Sequence, residues 1–216
     1  SFSYYQKTDF LKAIDSAFFA ILEKSDHAEA HSHRAMAYMA RQQFTKAIQS
    51  ADRAIGINDK NAEAYSLRGL AYAATNNLPQ AIADQNKAIA LAPALAVAFQ
   101  RRAEIHLAKN DAALASADID QALRLNPGSV EALCDRAYLF GMQSKRAEAM
   151  ADLDAAITID PQCAKAHYIR GLAYMSSEDF EKAAACFDET IRCQEKHALA
   201  YCSRGYANHA QEKYEA

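Results

Sequence analysis

Glycine and proline are scarce, at 6 and 4 among 216 residues. One ordinary globular domain of this length needs more turn residues, so the shortage favours helices joined by short connections. No apolar run is long enough to cross a membrane. A formal charge of −3 with no Lys/Arg-rich cluster gives no long-range pull towards nucleic acid. The five cysteines (Cys134, Cys163, Cys186, Cys193, Cys202) are odd in number and show no C-x-x-C spacing. That argues against a disulfide scaffold and for reduced thiols in a cytosol-like, cytoplasmic compartment. The chain begins at Ser1 rather than a start Met, which leaves an upstream signal segment open. A phosphate-binding glycine loop, an H-E-x-x-H helix and a nucleophile elbow are all missing, so no catalytic residue is assigned.

What the chain does have is a period. The stretch from Ala62 to Leu95 nearly fits itself again when shifted by 34 residues in either direction. Pro93, Pro127 and Pro161 stand at that spacing, and so do Arg34, Arg68, Arg102, Arg136, Arg170 and Arg204. A fixed period of this length means a helical repeat array, in which each unit buries its apolar face against its neighbours. With Ala62 as position 1, full units run over 28–61, 62–95, 96–129, 130–163 and 164–197. Partial units fill 1–27 and 198–216, so the whole chain reads as a single array and as a piece of a longer one.

Each unit divides into two helical stretches. In the unit at Ala62, Tyr65, Gly69 and Tyr72 fall at i, i+4 and i+7 on one helix face. Thr75-Asn76-Asn77 supplies turn chemistry, and Pro79 fits the first turn of a second helix, where its missing N–H costs nothing. Pro93 stops that helix. Small residues recur where helices must approach closely. Position 8 holds Ala35, Gly69, Ala103, Ala137, Gly171 and Gly205. Position 20 is Ala13, Ala47, Ala81, Ala115, Ala149 and Ala183, and position 27 begins with Ala20 and Ala54. Tyr4, Tyr38, Tyr72, Phe140 and Tyr174 fill position 11 between them.

Tyr65, Gly69, Tyr72, Ala81, Ala88 and Pro93, at positions 4, 8, 11, 20, 27 and 32, resemble the tetratricopeptide repeat pattern over the whole chain. The resemblance implies an all-α fold, a right-handed superhelix of antiparallel helix hairpins. Departures are local: Asp59 and Glu195 replace the proline of position 32, and position 24 ranges from Ala51 to Phe187.

The family usually has leucine at position 7, where this chain has arginine in all six units that include it. In a hairpin turning near position 15, positions 7 and 23 lie abreast. That predicts the structural pairs Arg68–Asp84, Arg102–Asp118 and Arg136–Asp152. Arg34 meets Ser50 and Arg170 meets Cys186 in the same register, so those two need other acceptors.

By the same resemblance, the first helices line a concave groove with positions 2, 5, 9, 12 and 13. The candidate peptide-binding residues are Met36, Met39, Leu70, Glu104, Leu107, Tyr138, Met142, Tyr168, Leu172, Met175 and Tyr206. Their floor is apolar, and Glu29, Glu63, Glu104 and Glu131 add acid, favouring an apolar protein or peptide ligand with basic residues. Family members that hold heat-shock chaperone tails use Lys at position 5 and Asn at position 9. Here Ser32, Ser66, Gln100, Cys134 and Tyr168 occupy the first, and Met36, Leu70, Glu104, Tyr138 and Leu172 the second, so the clamp is missing. His27, His31 and His33 lie close together, but no ligand set is completed and no metal or cofactor is assigned. The expected function is a non-enzymatic interaction scaffold. A second reading is the targeting arm of a larger enzyme or secretion machine, and a third is self-association through open ends.

Overall fold

The computed structural model describes residues 27–214; the first partial unit, with Tyr4, Ala13 and Ala20, lies outside them. Among the described residues there are eleven α-helices and no strand. They are α1 (Ala28–Ala40), α2 (Phe44–Ile57), α3 (Ala62–Ala74), α4 (Leu78–Leu91), α5 (Ala96–Ala108), α6 (Ala112–Leu125), α7 (Val130–Met142), α8 (Arg146–Ile159), α9 (Ala164–Met175), α10 (Phe180–Cys193) and α11 (Ala198–Tyr214). The starts keep the 34-residue spacing throughout, in the first helices from Ala28 to Ala198 and in the second from Phe44 to Phe180. Odd-numbered helices are the first helices of their units, even-numbered ones the second. No helix among the described residues is long and apolar enough to cross a membrane.

The described residues fall into two compact units, divided between Gln121 and Ala122. In the first, α1 packs on α2 and α3 on α4, while α2 also meets α3 and α4 meets α5. In the second, α7 packs on α8 and α9 on α10, with α8 against α9 and α10 against α11. The small-residue positions are where these helices touch. Ala47, Ala81, Ala115, Ala149 and Ala183 at position 20 are buried, as are Ala54, Ala88, Ala122, Ala156 and Thr190 at position 27. A second buried alanine row stands at position 3: Ala30, Ala64, Ala98, Ala132, Ala166 and Ala200. Side chains this small let helix axes approach without voids, which is how an alanine-rich chain reaches interior packing density.

Every described hairpin turns in the same way. The residue at position 15 takes a left-handed conformation: Gln42, Asn76, Asn110, Ser144 and Glu178 have φ of 57°, 61°, 60°, 60° and 61°. The next N–H then reaches back to the carbonyl of position 11, as Gln43 does to Tyr38 at 2.9 Å and Asn77 to Tyr72 at 2.8 Å. This is a Schellman closure, and it satisfies carbonyls that the end of the helix would leave orphaned.

Candidate functional site

The position-7 arginines join helices in two directions. Arg68 donates from Nε to Asp84 Oδ2 at 2.7 Å and from Nη2 to Oδ1 at 2.7 Å. Arg102 grips Asp118 in the same fork at 2.7 and 2.6 Å, and Arg136 grips Asp152 at 2.8 Å through both nitrogens. The aspartates are buried and the arginines half-buried. The remaining nitrogen reaches position 25 of the preceding unit: Arg68 Nη1 to Asp52 at 2.7 Å, Arg102 Nη1 to Asn86 at 2.6 Å, and Arg204 Nη1 to Asp188 at 2.6 Å. Arg34 bonds Ser50 Oγ at 3.1 Å, and Arg170 approaches Asp154 at 3.5 Å. Aromatic rings complete the seat, with the Arg68 guanidinium 5.4 Å from the Tyr65 ring centre and 6.0 Å from that of Tyr72. Sequence reasoning missed the position-25 acceptors, although Asp52, Asp120, Asp154 and Asp188 repeat at the same spacing. The arrangement locks hairpins and neighbours together, and the forks of Arg68, Arg102 and Arg136 are already filled by carboxylates.

The candidate groove residues divide by burial. In the first four full units position 5 does not line a surface: Ser32, Ser66, Gln100 and Cys134 are buried. Ser66 Oγ donates to Gln85 Oε1 at 2.9 Å and accepts from Arg101 at 2.8 Å, a polar seam between helices. Tyr168 packs into the core, its ring 5.7 Å from Phe187 and 4.9 Å from His197, and Leu172 and Met175 flank the same Phe187 cluster. Met36 packs against Ala35, Ala51 and Leu67. Met39, Leu70 and Leu107 are half-buried, whereas Tyr138, Met142 and Tyr206 are exposed.

The acidic residues are less free than their spacing suggests. Gln100 Nε2 donates to Glu104 at 2.6 Å. Arg101 lies beside Glu104 and Glu63, whose charges oppose the fall in its pKa that burial causes. In the second unit Lys165 Nζ bonds Asp135 at 2.6 Å. The expected basic ligand therefore loses part of its support, and only Glu29, Glu63 and Glu131 stay exposed.

One cleft stands out in the second unit. It encloses about 240 Å³ and is lined by Ala137, Tyr138, Gly141, Met142, Ile169 and Leu172. Its cause is a missing side chain. Position 12 is Met39, Ala73, Leu107 and Met175 in the other full units but Gly141 here, and a Cβ built on Gly141 would meet nothing within 4 Å. Mean hydropathy does not reveal such a gap; the spacing of Gly141 against its counterparts does.

Helix hairpins in a 34-residue register with these packing positions point to one family. The tetratricopeptide repeat profile matches residues 101–164, 134–196 and 168–216, and a second profile of that description matches 62–95. The chain belongs to the tetratricopeptide repeat family. A related TPR repeat profile covers residues 35–76. No curated protein sequence matches the chain. Among solved structures, YrrB, "a TPR protein with an unusual peptide-binding site", is 23% identical, with a TM-score of 0.58 over 89% of this chain and 99% of YrrB. The Pseudomonas aeruginosa pilF product shares 19% identity at a TM-score of 0.71, covering 92% and 90% of the two chains. The APC/C hetero-tetramer Cut9–Hcn1 gives a TM-score of 0.84 at 12% identity, over 93% of this chain and 39% of that one. At these identities the likeness is one of fold. TPR proteins are protein-interaction scaffolds, and the chain is built as one.

Within this TPR chain one further group could be taken for a metal centre. Donor atoms of His167, Glu189 and Cys193 lie within 4.8 Å of one another. Two of the three are engaged elsewhere. His167 Nε2 stands 3.0 Å from the Pro161 carbonyl, and Glu189 accepts from Arg192 Nε at 2.8 Å. The Arg170 guanidinium, 3.5 Å from His167 Nδ1, would repel a cation. His31, from the other histidine group, is buried with Nδ1 lacking a hydrogen-bond partner, and burial lowers its pKa. A neutral ring packed among small residues is a core element there.

Proposed function

We propose that this chain is a non-enzymatic scaffold that holds a peptide or helical segment of a partner protein on its first-helix face. The observation that carries the reading is the apolar cleft at Gly141, with Tyr138 and Met142 exposed at its mouth. An apolar hollow beside mobile-sided, polarizable methionine suits one large apolar side chain as an anchor. Leu172 forms part of the floor, while Leu70 and Leu107 give the first unit shallower, half-buried contacts. The YrrB description, a TPR protein with a peptide-binding site, is consistent with a ligand of this class.

The test is selection from a displayed random-peptide library, followed by affinity measurement on the wild type and on Gly141→Leu. Leucine stands at the equivalent position 107, so the variant keeps the helix and fills the cleft. The expected result is a set of peptides with a shared large apolar anchor, bound at least about tenfold more weakly by the variant, as one lost buried contact implies. Unchanged affinity, or selection of no peptide at all, would overturn the reading.

A further inference from the structure

Position 34 of a unit is the N-cap residue of the next first helix, and in three units it touches position 5 of its own unit. In the first full unit this contact joins Asn61 to Ser32, Nδ2 to Oγ at 3.1 Å. Between α7 and the start of α9 the same two positions are Cys134 and Cys163, with their sulfurs 4.0 Å apart. The pair is uneven. Cys134 is fully buried, whereas Cys163 is partly open at the amino-terminal cap of α9. At this cap position Asn61, Ser129 and His197 each accept the N–H of the residue three further on with their side chains, at 3.0, 3.3 and 3.1 Å. Cys163 holds its sulfur in that donor-rich place, and a helix amino terminus favours negative charge.

We propose that Cys163 is a peroxide-reactive thiol and that Cys134 is its resolving partner, so that hydroperoxides convert the pair into a reversible disulfide between α7 and the cap of α9. The chemistry balances in two steps. The Cys163 thiolate attacks one peroxide oxygen, the O–O bond breaks, and sulfur gains the hydroxyl as a sulfenic acid while the other oxygen leaves as water after taking a proton. Cys134 sulfur then attacks Cys163 sulfur, its proton joins the departing hydroxide, and a second water is released. Two thiols are oxidised by two electrons and one peroxide is reduced. About 2 Å separates the present sulfur spacing from a disulfide bond length, a gap that side-chain rotation at the partly exposed cap can close. The electrostatics agree with the assigned roles. The hydrogen bond from Cys134 lowers the Cys163 pKa, against desolvation, with the Ala166 and Lys165 N–H groups adding to it. The same contact, with burial, raises that of Cys134.

The test uses the intact chain with hydrogen peroxide, timed alkylation and non-reducing peptide mapping, with exposed Cys202 as the internal comparison. At slightly acidic pH, Cys163 should be consumed roughly tenfold faster than Cys202, given the balance of thiolate fraction and nucleophilicity. The product should be a Cys134–Cys163 linked peptide that dithiothreitol reverses. In Cys134→Ser, Cys163 should instead be trapped by dimedone as the sulfenic acid; in Cys163→Ser, Cys134 should stay reduced. Oxidation of Cys163 no faster than Cys202, or oxidation without linkage to Cys134, would overturn the proposal. Serine is a good cap at position 34 and already stands at position 5 as Ser32 and Ser66, so both variants keep the fold.

Discussion

At position 8 glycine stands where the side chain at position 24 of the same unit reaches up to the backbone, and alanine where it does not. Alanine stands opposite Ala51, Ile119 and Leu153, and glycine opposite Gln85 and Phe187. A Cβ on Gly171 would come within 2.5 Å of the Phe187 ring, and one on Gly69 within 2.8 Å of Gln85 Nε2. Helix propensity alone favours alanine at every such site by up to about 1 kcal/mol. Packing reverses the sign at Gly171, where Gly171→Ala should destabilise by about 1–3 kcal/mol through overfilling. Gly56→Ala, on an exposed stretch of α2 with nothing within 4 Å, should instead stabilise by about 0.5–1 kcal/mol. Denaturant melts of the two variants give opposite shifts if this account holds, and the same sign for both would reject it. The rule was readable in the sequence, because positions 8 and 24 vary together, but only contact distances explain why. The arginine forks read differently: register alone gave the position-23 partners, while the second acceptor at position 25 required knowing how neighbouring hairpins stack. With two acceptors and part of each arginine in water, these pairs contribute less individually than fully buried ones would.

Among elements, the turns show how little local sequence preference is needed once the hairpin imposes a conformation. Position 15 is left-handed in every described hairpin, yet only Asn76 and Asn110 are residues that tolerate it well. Gln42, Ser144 and Glu178 hold the same φ because the helices on both sides fix the chain's exit. That over-determination is why Thr75-Asn76-Asn77 announced a turn and the Ser144 segment did not. It also stores a small strain. Ser144→Gly should relieve it and stabilise by about 0.5–1 kcal/mol, after the greater unfolded-state freedom of glycine is subtracted. A thermal melt should rise by roughly 1–4 °C in a chain of this length, and Ser144→Val should move it the other way. A fall on introducing glycine would mean that the serine side chain supplies something the turn geometry does not. The groove was less legible than the turns for a related reason. Position 5 sits on the first helix and reads as surface from the family pattern, but Ser66 and Cys134 are buried by contacts with side chains 19 and 29 residues away.

For the molecule as a whole, a repeat chain joins its parts through neighbours, so a defect should be felt locally. Phe187 gives the clearest test. It is fully buried, packs with Ala183 and Ala207, and is flanked by Tyr168, Leu172, Tyr174 and Met175. Truncation to alanine removes most of that contact surface and leaves a void that Ala183 and Ala207 are too short to fill, a cost of about 3–5 kcal/mol. In a fold with one shared core that loss would lower protection everywhere. Here, among the described residues, each helix contacts its own hairpin and the adjoining ones, as α10 meets α9 and α11. Phe187→Ala should therefore speed amide exchange sharply in α9, α10 and α11, while α1 to α4 keep wild-type protection. Uniform loss across all helices would show that the chain unfolds as one cooperative body, and a binding face built from it would then respond to any mutation at any distance. Local loss would mean that ligand affinity at the Gly141 cleft depends on the hairpins beside it and hardly at all on those of the first unit.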